Sequence, residues 1–260
     1  MKYSVFTVMM GPLPMEEVVE KLLRYGYEGV EWRVHREFHL DPENIENDLK
    51  EANRICRKAG LEIVGLAPYL QLGSPLLERV VIAAGEFGIP MVRIGVPPYT
   101  GDINYWQLYD ETRKKLGEFE KIAEKTGVKG VIEIHMGNIA TSPSLAKWLL
   151  KDFNPRYVGA IFDPGNMVVE GYEAWKMGLE ILGSHLAHTH AKNTGWFRRD
   201  GKWEFSFVPM DEGIADWKQI LLSLKAVGYE GWISFEDFSD LPLDEKLKKN
   251  IELCKQWEQD

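Results

Sequence analysis

The sequence predicts an α/β fold: a closed (β/α)8 TIM barrel, as a single domain over residues 1–260. Three observations carry this. Apolar, β-rich runs alternate with amphipathic stretches from one end of the chain to the other. The runs recur roughly every thirty residues, the size of a βα unit. The length of 260 residues matches what eight such units need. An open doubly wound sheet with a dinucleotide site would carry a Gly-rich fingerprint after its first strand, and Met9 to Leu13 offers only Gly11. No Pro/Gly/Ser-rich linker divides the chain, and no clear repeat underlies the period.

The strands are expected at 3–9, 29–34, 62–69, 91–96, 130–135, 158–162, 186–190 and 231–235. Helices are expected near 15–25, 44–59, 75–87, 105–126, 142–152, 172–183, 215–227 and 243–257. Leu116/Phe119/Ala123 and Ile220/Leu224/Val227 show the spacing of a helix with one buried face. Gly26, Gly60, Gly88, Gly127 and Gly228 follow helices, where a left-handed residue ends them. Asp41-Pro42, Ser142-Pro143 and Pro242 stand before or at helix starts. The segment 193–213 reads as the longest irregular stretch, rich in aromatics and charge. A loop of that size in a compact domain is usually functional.

Composition narrows the classes. Hydrophobic residues at 45% and charged residues at 27% are globular values, which exclude a disordered tail, a collagen-like chain and a small disulfide scaffold. The net charge of -9 repels phosphate backbones, and no Lys/Arg run offsets it, so no nucleic-acid partner is expected. No stretch reaches the ~18 apolar residues of a membrane span. The apolar run after Met1-Lys2 stops at Gly11-Pro12 and reads as a first strand rather than a signal peptide. Cys56 and Cys254 fall on the helical stripes Leu49/Ala52/Cys56 and Leu247/Ile251/Cys254, as small core residues. Free thiols fit a cytoplasmic protein.

In a barrel, chemistry gathers at the C-terminal ends of the strands. The polar residues there are Glu31-Trp32-Arg33-Val34-His35, Glu133-Ile134-His135, Asp163-Pro164-Gly165-Asn166, His188-Thr189-His190-Ala191-Lys192-Asn193 and Glu236-Asp237. A bare carboxylate beside a barrel core costs several kcal/mol unless paired or metal-bound. Glu133, Asp163, His190 and Glu236 come from four consecutive strands and converge on one mouth. Three carboxylates and an imidazole suit one divalent cation, with Mn²⁺ first and Mg²⁺, Co²⁺ or Zn²⁺ as alternatives. A single strand-end Glu or His is ordinarily a surface or structural residue; four in register carry the metal reading. His135 and His188 stay open between supporting a ligand, touching substrate and satisfying the core. Glu31 and Arg33 read as a structural pair, and His35, among charges, as an exposed loop residue. Trp196 and Phe197 beside Arg198 and Arg199 read either as packing or as a lid over a polar ligand.

These motifs, in this order, resemble the sugar phosphate isomerase/epimerase superfamily, the xylose isomerase-like barrels, along essentially the whole chain. The resemblance implies one divalent metal held by two glutamates, an aspartate and a histidine, which by motif position are Glu133, Asp163, His190 and Glu236. It also implies Glu133 and Glu236 as acid and base on opposite faces of a sugar. The ketose 3-epimerases of this group carry a histidine where Asn166 stands and a further glutamate where Ile139 stands. The related three-zinc endonucleases need extra histidines that Gly65 to Tyr69, Ile94 to Pro97 and Phe205 to Phe207 lack, so that reading is disfavoured.

The expected function is therefore a metal-dependent isomerase or epimerase of a small sugar derivative, working by enediolate proton transfer. A lyase on the same site, an inosose or dehydroshikimate-type dehydratase, is the alternative, and a non-enzymatic sugar-binding barrel is the third class. His135, Asn166, His188, Lys192, Trp196 and Arg198 are the candidate substrate-binding residues. The sequence leaves room for a homo-oligomer.

Overall fold

The computed structural model describes residues 1–259 and forms a closed eight-stranded parallel barrel ringed by helices. The barrel strands are β1 (Lys2–Phe6), β2 (Gly29–Val34), β3 (Glu62–Pro68), β4 (Met91–Arg93), β5 (Lys129–Glu133), β6 (Val158–Phe162), β7 (Leu186–Ala191) and β10 (Trp232–Phe235). The last, β10, closes the ring between β7 and β1, pairing Ser234 with His190 on one side and with Ser4 on the other. Eight helices follow the expected periodicity: α1 (Met15–Tyr25), α2 (Ile45–Ala59), α3 (Pro75–Glu86), α4 (Tyr105–Thr126), α5 (Pro143–Leu150), α7 (Trp175–Leu182), α8 (Trp217–Ala226) and α9 (Leu243–Gln259). No helix among the described residues is long and apolar enough to cross a membrane.

Two cores hold the barrel. The larger lies between sheet and helices, where Leu116, Phe119, Ala123, Ile220 and Leu224 are all buried. Each large side chain there contributes about 1.5–3 kcal/mol. The fit of α4 against β5 is close: a Cβ on Gly130 would lie 2.2 Å from the Phe119 ring. The smaller core plugs the barrel interior with Val64, Met91, Val131 and Ile161, and Trp232 packs against it. Side chains two apart on a strand share a face. Val131 thus lies beneath Glu133, Ile161 beneath Asp163, and Trp232 beneath Ser234 and Glu236. The polar strand-end residues rest on an apolar floor. Cys56 and Cys254 are buried free thiols of the outer core, and burial pushes the Cys56 thiol up to about 11.

Three expectations change. The first strand ends at Phe6, and Thr7–Met10 turns into a 3-10 helix. A further short helix, α6 (Pro164–Glu170), follows β6 directly, with the Asp163 side chain accepting from the Asn166 backbone N–H at 3.0 Å and Pro164 in the first turn. The stretch expected to be irregular, 193–213, is largely an antiparallel ribbon of β8 (Asn193–Arg199) and β9 (Lys202–Val208). Asp200 and Gly201 make its two-residue turn, both with positive φ (48° and 80°). That is the backbone an Asp-Gly hairpin turn requires.

Candidate metal centre and active site

Glu133 ends β5, Asp163 and Glu236 stand one residue beyond β6 and β10, and His190 lies near the end of β7. The barrel brings one donor atom from each within 4.8 Å of the others. His190 Nδ1 lies 3.2 Å from Glu133 Oε1, 3.4 Å from Glu236 Oε2 and 3.8 Å from Asp163 Oδ2. All four residues are buried. The structure thus brings these four residues into one cluster.

Two cations reach the same carboxylates. Lys192 Nζ stands 2.7 Å from Glu236 Oε2 and 2.9 Å from Asp163 Oδ2. Its stem crosses Gly165, where any Cβ would meet Lys192 Cγ at 2.4 Å. Arg93, from β4, pairs with Glu133 Oε2. Sequence reading missed Arg93, although a charge within the apolar run Met91-Val92-Arg93-Ile94 is the signal that singled out Glu133.

The titration of the cluster follows from this crowding. Burial, reinforced by Glu133 and Glu236, pushes the Asp163 carboxyl up to about 7 despite Lys192. Burial also works against ionising Glu133 and Glu236. Arg93 chiefly outweighs it at Glu133 and Lys192 at Glu236, so both stay below the usual carboxylate range. Burial disfavours a charged His190, but Glu31 and the glutamates at its other nitrogen raise its pKa well above the ordinary value. Three carboxylates facing one imidazole nitrogen in a dry site are a donor set short of positive charge. That chemistry fits a divalent cation, which displaces the protons from His190 Nδ1 and Asp163.

Glu31 corrects a sequence reading. It does not pair with Arg33. It lies buried behind His190, accepting from Nε2 at 3.1 Å and from His188 Nε2 at 3.0 Å. A register shift between β2 and β3 at Val30/Glu31 accompanies this placement. With Nε2–H donated to Glu31, the His190 lone pair available to a metal is at Nδ1, on the carboxylate side. His188 thus belongs to the support beneath the centre, and burial lowers its pKa. Phe6 stacks on His190 at 5.6 Å.

The other candidates take various places. Asn166 donates to Glu133 Oε1 at 3.2 Å and to the Ile134 carbonyl at 3.3 Å. His135 is half-buried and lines, with Tyr69, Arg93, Glu133 and Asn138, a cavity of about 350 Å³ beside the carboxylates. Trp196 donates its indole N–H to the Val168 carbonyl at 3.1 Å, tying the hairpin to α6. Phe197 and Arg198 are exposed, and Arg199 lies over the Phe197 ring. On the inner side of the hairpin, Phe207 packs with Phe238 at 5.1 Å, and Lys192 Nζ approaches both rings. His35 is half-exposed rather than fully exposed.

Comparison with known proteins agrees with this architecture. An inosose dehydratase of Geobacillus thermodenitrificans is 27% identical over 150 residues, which is 52% of this chain and 48% of that protein. A D-tagatose 3-epimerase-like protein superimposes with a TM-score of 0.79 over 100% of this chain and 97% of its own, at 21% identity. The IolI protein, solved with a zinc atom, superimposes at 0.80 over 99% and 96%, at 18% identity. At such identities the structural likeness speaks for the fold. The family described as xylose isomerase-like TIM barrel matches residues 19–257, and the chain belongs to that family.

Proposed function

We propose that this chain is a divalent-metal-dependent isomerase or epimerase of a small sugar or sugar derivative, moving a proton at a carbon next to a carbonyl. The observation that carries it is the arrangement of Glu133 and Glu236. They approach one point from β5 and from the end of β10, each with its own cation, Arg93 on one and Lys192 on the other. When bound at Glu133, Asp163, His190 and Glu236, a cation such as Mn²⁺ supplies Lewis-acid stabilisation to an oxygen gathering negative charge. One glutamate takes the carbon-bound proton, and the electron pair of that bond moves to the carbonyl oxygen. The other glutamate, which must first take a proton from solvent or from its neighbouring cation, returns it on the opposite face, and the first releases its proton to solvent before the next turnover. Lys192 donates to the developing oxyanion, and the apolar floor and Phe207/Phe238 keep the site dry. Buried, free thiols suit a cytoplasmic setting.

A second reading, a dehydratase, is favoured by the inosose dehydratase similarity. There the same first step is followed by loss of a neighbouring hydroxyl, with Lys192 placed to give it a proton. Incubating the Mn²⁺-loaded protein in D₂O with a panel of ketoses, aldoses and inososes tests both readings by NMR and mass spectrometry. Solvent deuterium at the carbon beside the carbonyl, without loss of mass, supports the isomerase reading. Loss of one water with a new conjugated absorbance supports the dehydratase. No exchange and no elimination in the whole panel would contradict both.

A further inference from the structure

Every inward-facing cation at the mouth has an acidic partner except one. Arg93 pairs with Glu133, and Lys192 with Asp163 and Glu236. Arg33, two residues beyond Glu31 on the same face of β2, forms no ion pair among the described residues. Its Nε and Nη1 are buried without a hydrogen-bond partner. Its backbone N–H is fixed by Thr7 Oγ1 at 2.9 Å. Its guanidinium lies 3.2 Å from the centre of the Tyr69 ring, and the Arg93 guanidinium lies 4.4 Å from the same ring. Two guanidiniums therefore flank one aromatic ring, and of the two only Arg93 has an ion pair. Burial chiefly disfavours the Arg33 charge and Arg93 adds to this, while Tyr69, Glu236 and Glu133 offset it only in part. A guanidinium cannot shed its proton to escape this. A partly buried, unpaired cation at a strand end is costly unless a ligand neutralises it.

The charge of the whole mouth points the same way. Glu31, Glu133, Asp163 and Glu236 face Lys192, Arg93 and Arg33. With a divalent ion bound, His190 neutral and all four carboxylates ionised, these groups and the ion sum to an excess of one positive charge. A neutral sugar leaves that excess, a carboxylate cancels it, and a phosphate dianion overshoots it.

We infer that Arg33, steered by Tyr69 and seconded by Arg93, receives a carboxylate of the substrate, which makes the substrate a sugar acid or another polyhydroxylated acid rather than a neutral sugar. This deepens the proposed function and rests on it. The fork of N–H donors on a guanidinium matches the two oxygens of a carboxylate. Tyr69, whose ring the Arg33 guanidinium covers, and Arg93 line a cavity of about 350 Å³ beside Glu133, room for a small ligand within reach of that ring.

The test titrates the Mn²⁺-loaded protein calorimetrically with gluconate, with glucitol, which differs in lacking the carboxylate, and with glucose 6-phosphate. Gluconate should bind at least about tenfold more tightly than either, the worth of one charge-assisted contact. Arg33→Gln should abolish that preference while leaving glucitol binding and metal content unchanged, and Arg33→Lys should restore part of it. Equal affinity for gluconate and glucitol in the unmodified protein would overturn the inference, as would tighter binding of the phosphate. So would an Arg33→Gln variant that keeps the preference. Metal content is measured on the same samples. A protein that takes up no metal contradicts the catalytic reading, while gluconate preference and its dependence on Arg33 decide the subsite with or without metal.

Discussion

Replacing Glu31 by glutamine probes how the centre is held without touching any proposed ligand. The carboxylate accepts from His190 Nε2 at 3.1 Å and from His188 Nε2 at 3.0 Å, and all three side chains are buried. Glutamine keeps the shape and one acceptor oxygen but removes the charge, and turns an NH₂ group toward one of two imidazole donors. A hydrogen bond to a charged group is worth about 1.5–3 kcal/mol, and only the His190 bond bears directly on a ligand atom. Loss of such a supporting partner typically weakens metal binding by about 10–100-fold, or about 1.4–2.7 kcal/mol. Glu31→Gln should therefore lower Zn²⁺ or Co²⁺ affinity by that factor, measured by competition with a chromophoric chelator. The Co²⁺ absorption spectrum should also change, because the His190 ring is no longer fixed. The metal-free variant should melt lower as well, since Glu31 is held ionised against two imidazoles. Metal affinity within about twofold of the unmodified protein, with an unchanged Co²⁺ spectrum, would refute the reasoning and leave Glu31 a packing residue.

Other outcomes follow from the same cluster. Asp163 has a folded pKa of about 7 against an ordinary 3.8, so the unfolded chain releases this proton first. The stability it confers is complete below that ordinary value and is lost as pH rises toward 7; His190, also raised, acts the same way from 6.5 upward. Thermal melts of the metal-free protein should thus fall between about pH 6.5 and pH 8, above the range where the lowered pKa values of His39, His185 and His188 act in the opposite sense, while metal affinity over the same window rises. A flat or rising melt would contradict this. Glu133→Gln and Glu236→Gln should each slow turnover of whichever substrate the panel identifies by about 10²-fold or more; near-normal turnover with metal bound would remove that residue from the acid–base pair. Replacing Trp196 and Phe197 together by alanine should weaken substrate binding and spare metal binding, because Trp196 ties the hairpin to α6. Unchanged substrate affinity would make the hairpin packing rather than a cover.

The four metal-type residues were legible because each interrupts or ends an apolar run where only chemistry or pairing justifies a polar group. The barrel was legible from the alternation of two periods along the chain. What escaped depended on contacts between distant strands. Glu31 meets His188 and His190 only when the ring closes, so its neighbour Arg33 looked the natural partner. The hairpin and α6 were different, for their signals were local. Asp200-Gly201 between aromatic-rich runs marks a two-residue turn, and Asp163-Pro164 is a helix cap followed by a first-turn proline. The length and charge of 193–213 masked the first, and the reading of Asp163 as a ligand masked the second. Asp163 caps with Oδ1 while its Oδ2 faces His190.

Anomalous diffraction at the metal edge from crystals of the metal-loaded protein, joined to elemental analysis of the same sample, tests the central claim most directly. The account predicts one ion per chain, within about 2.0–2.6 Å of Glu133, Asp163, His190 Nδ1 and Glu236. An ion seated instead among Glu31, His188 and His190, the other group of donors that lie close together, would contradict it, as would a protein that binds none.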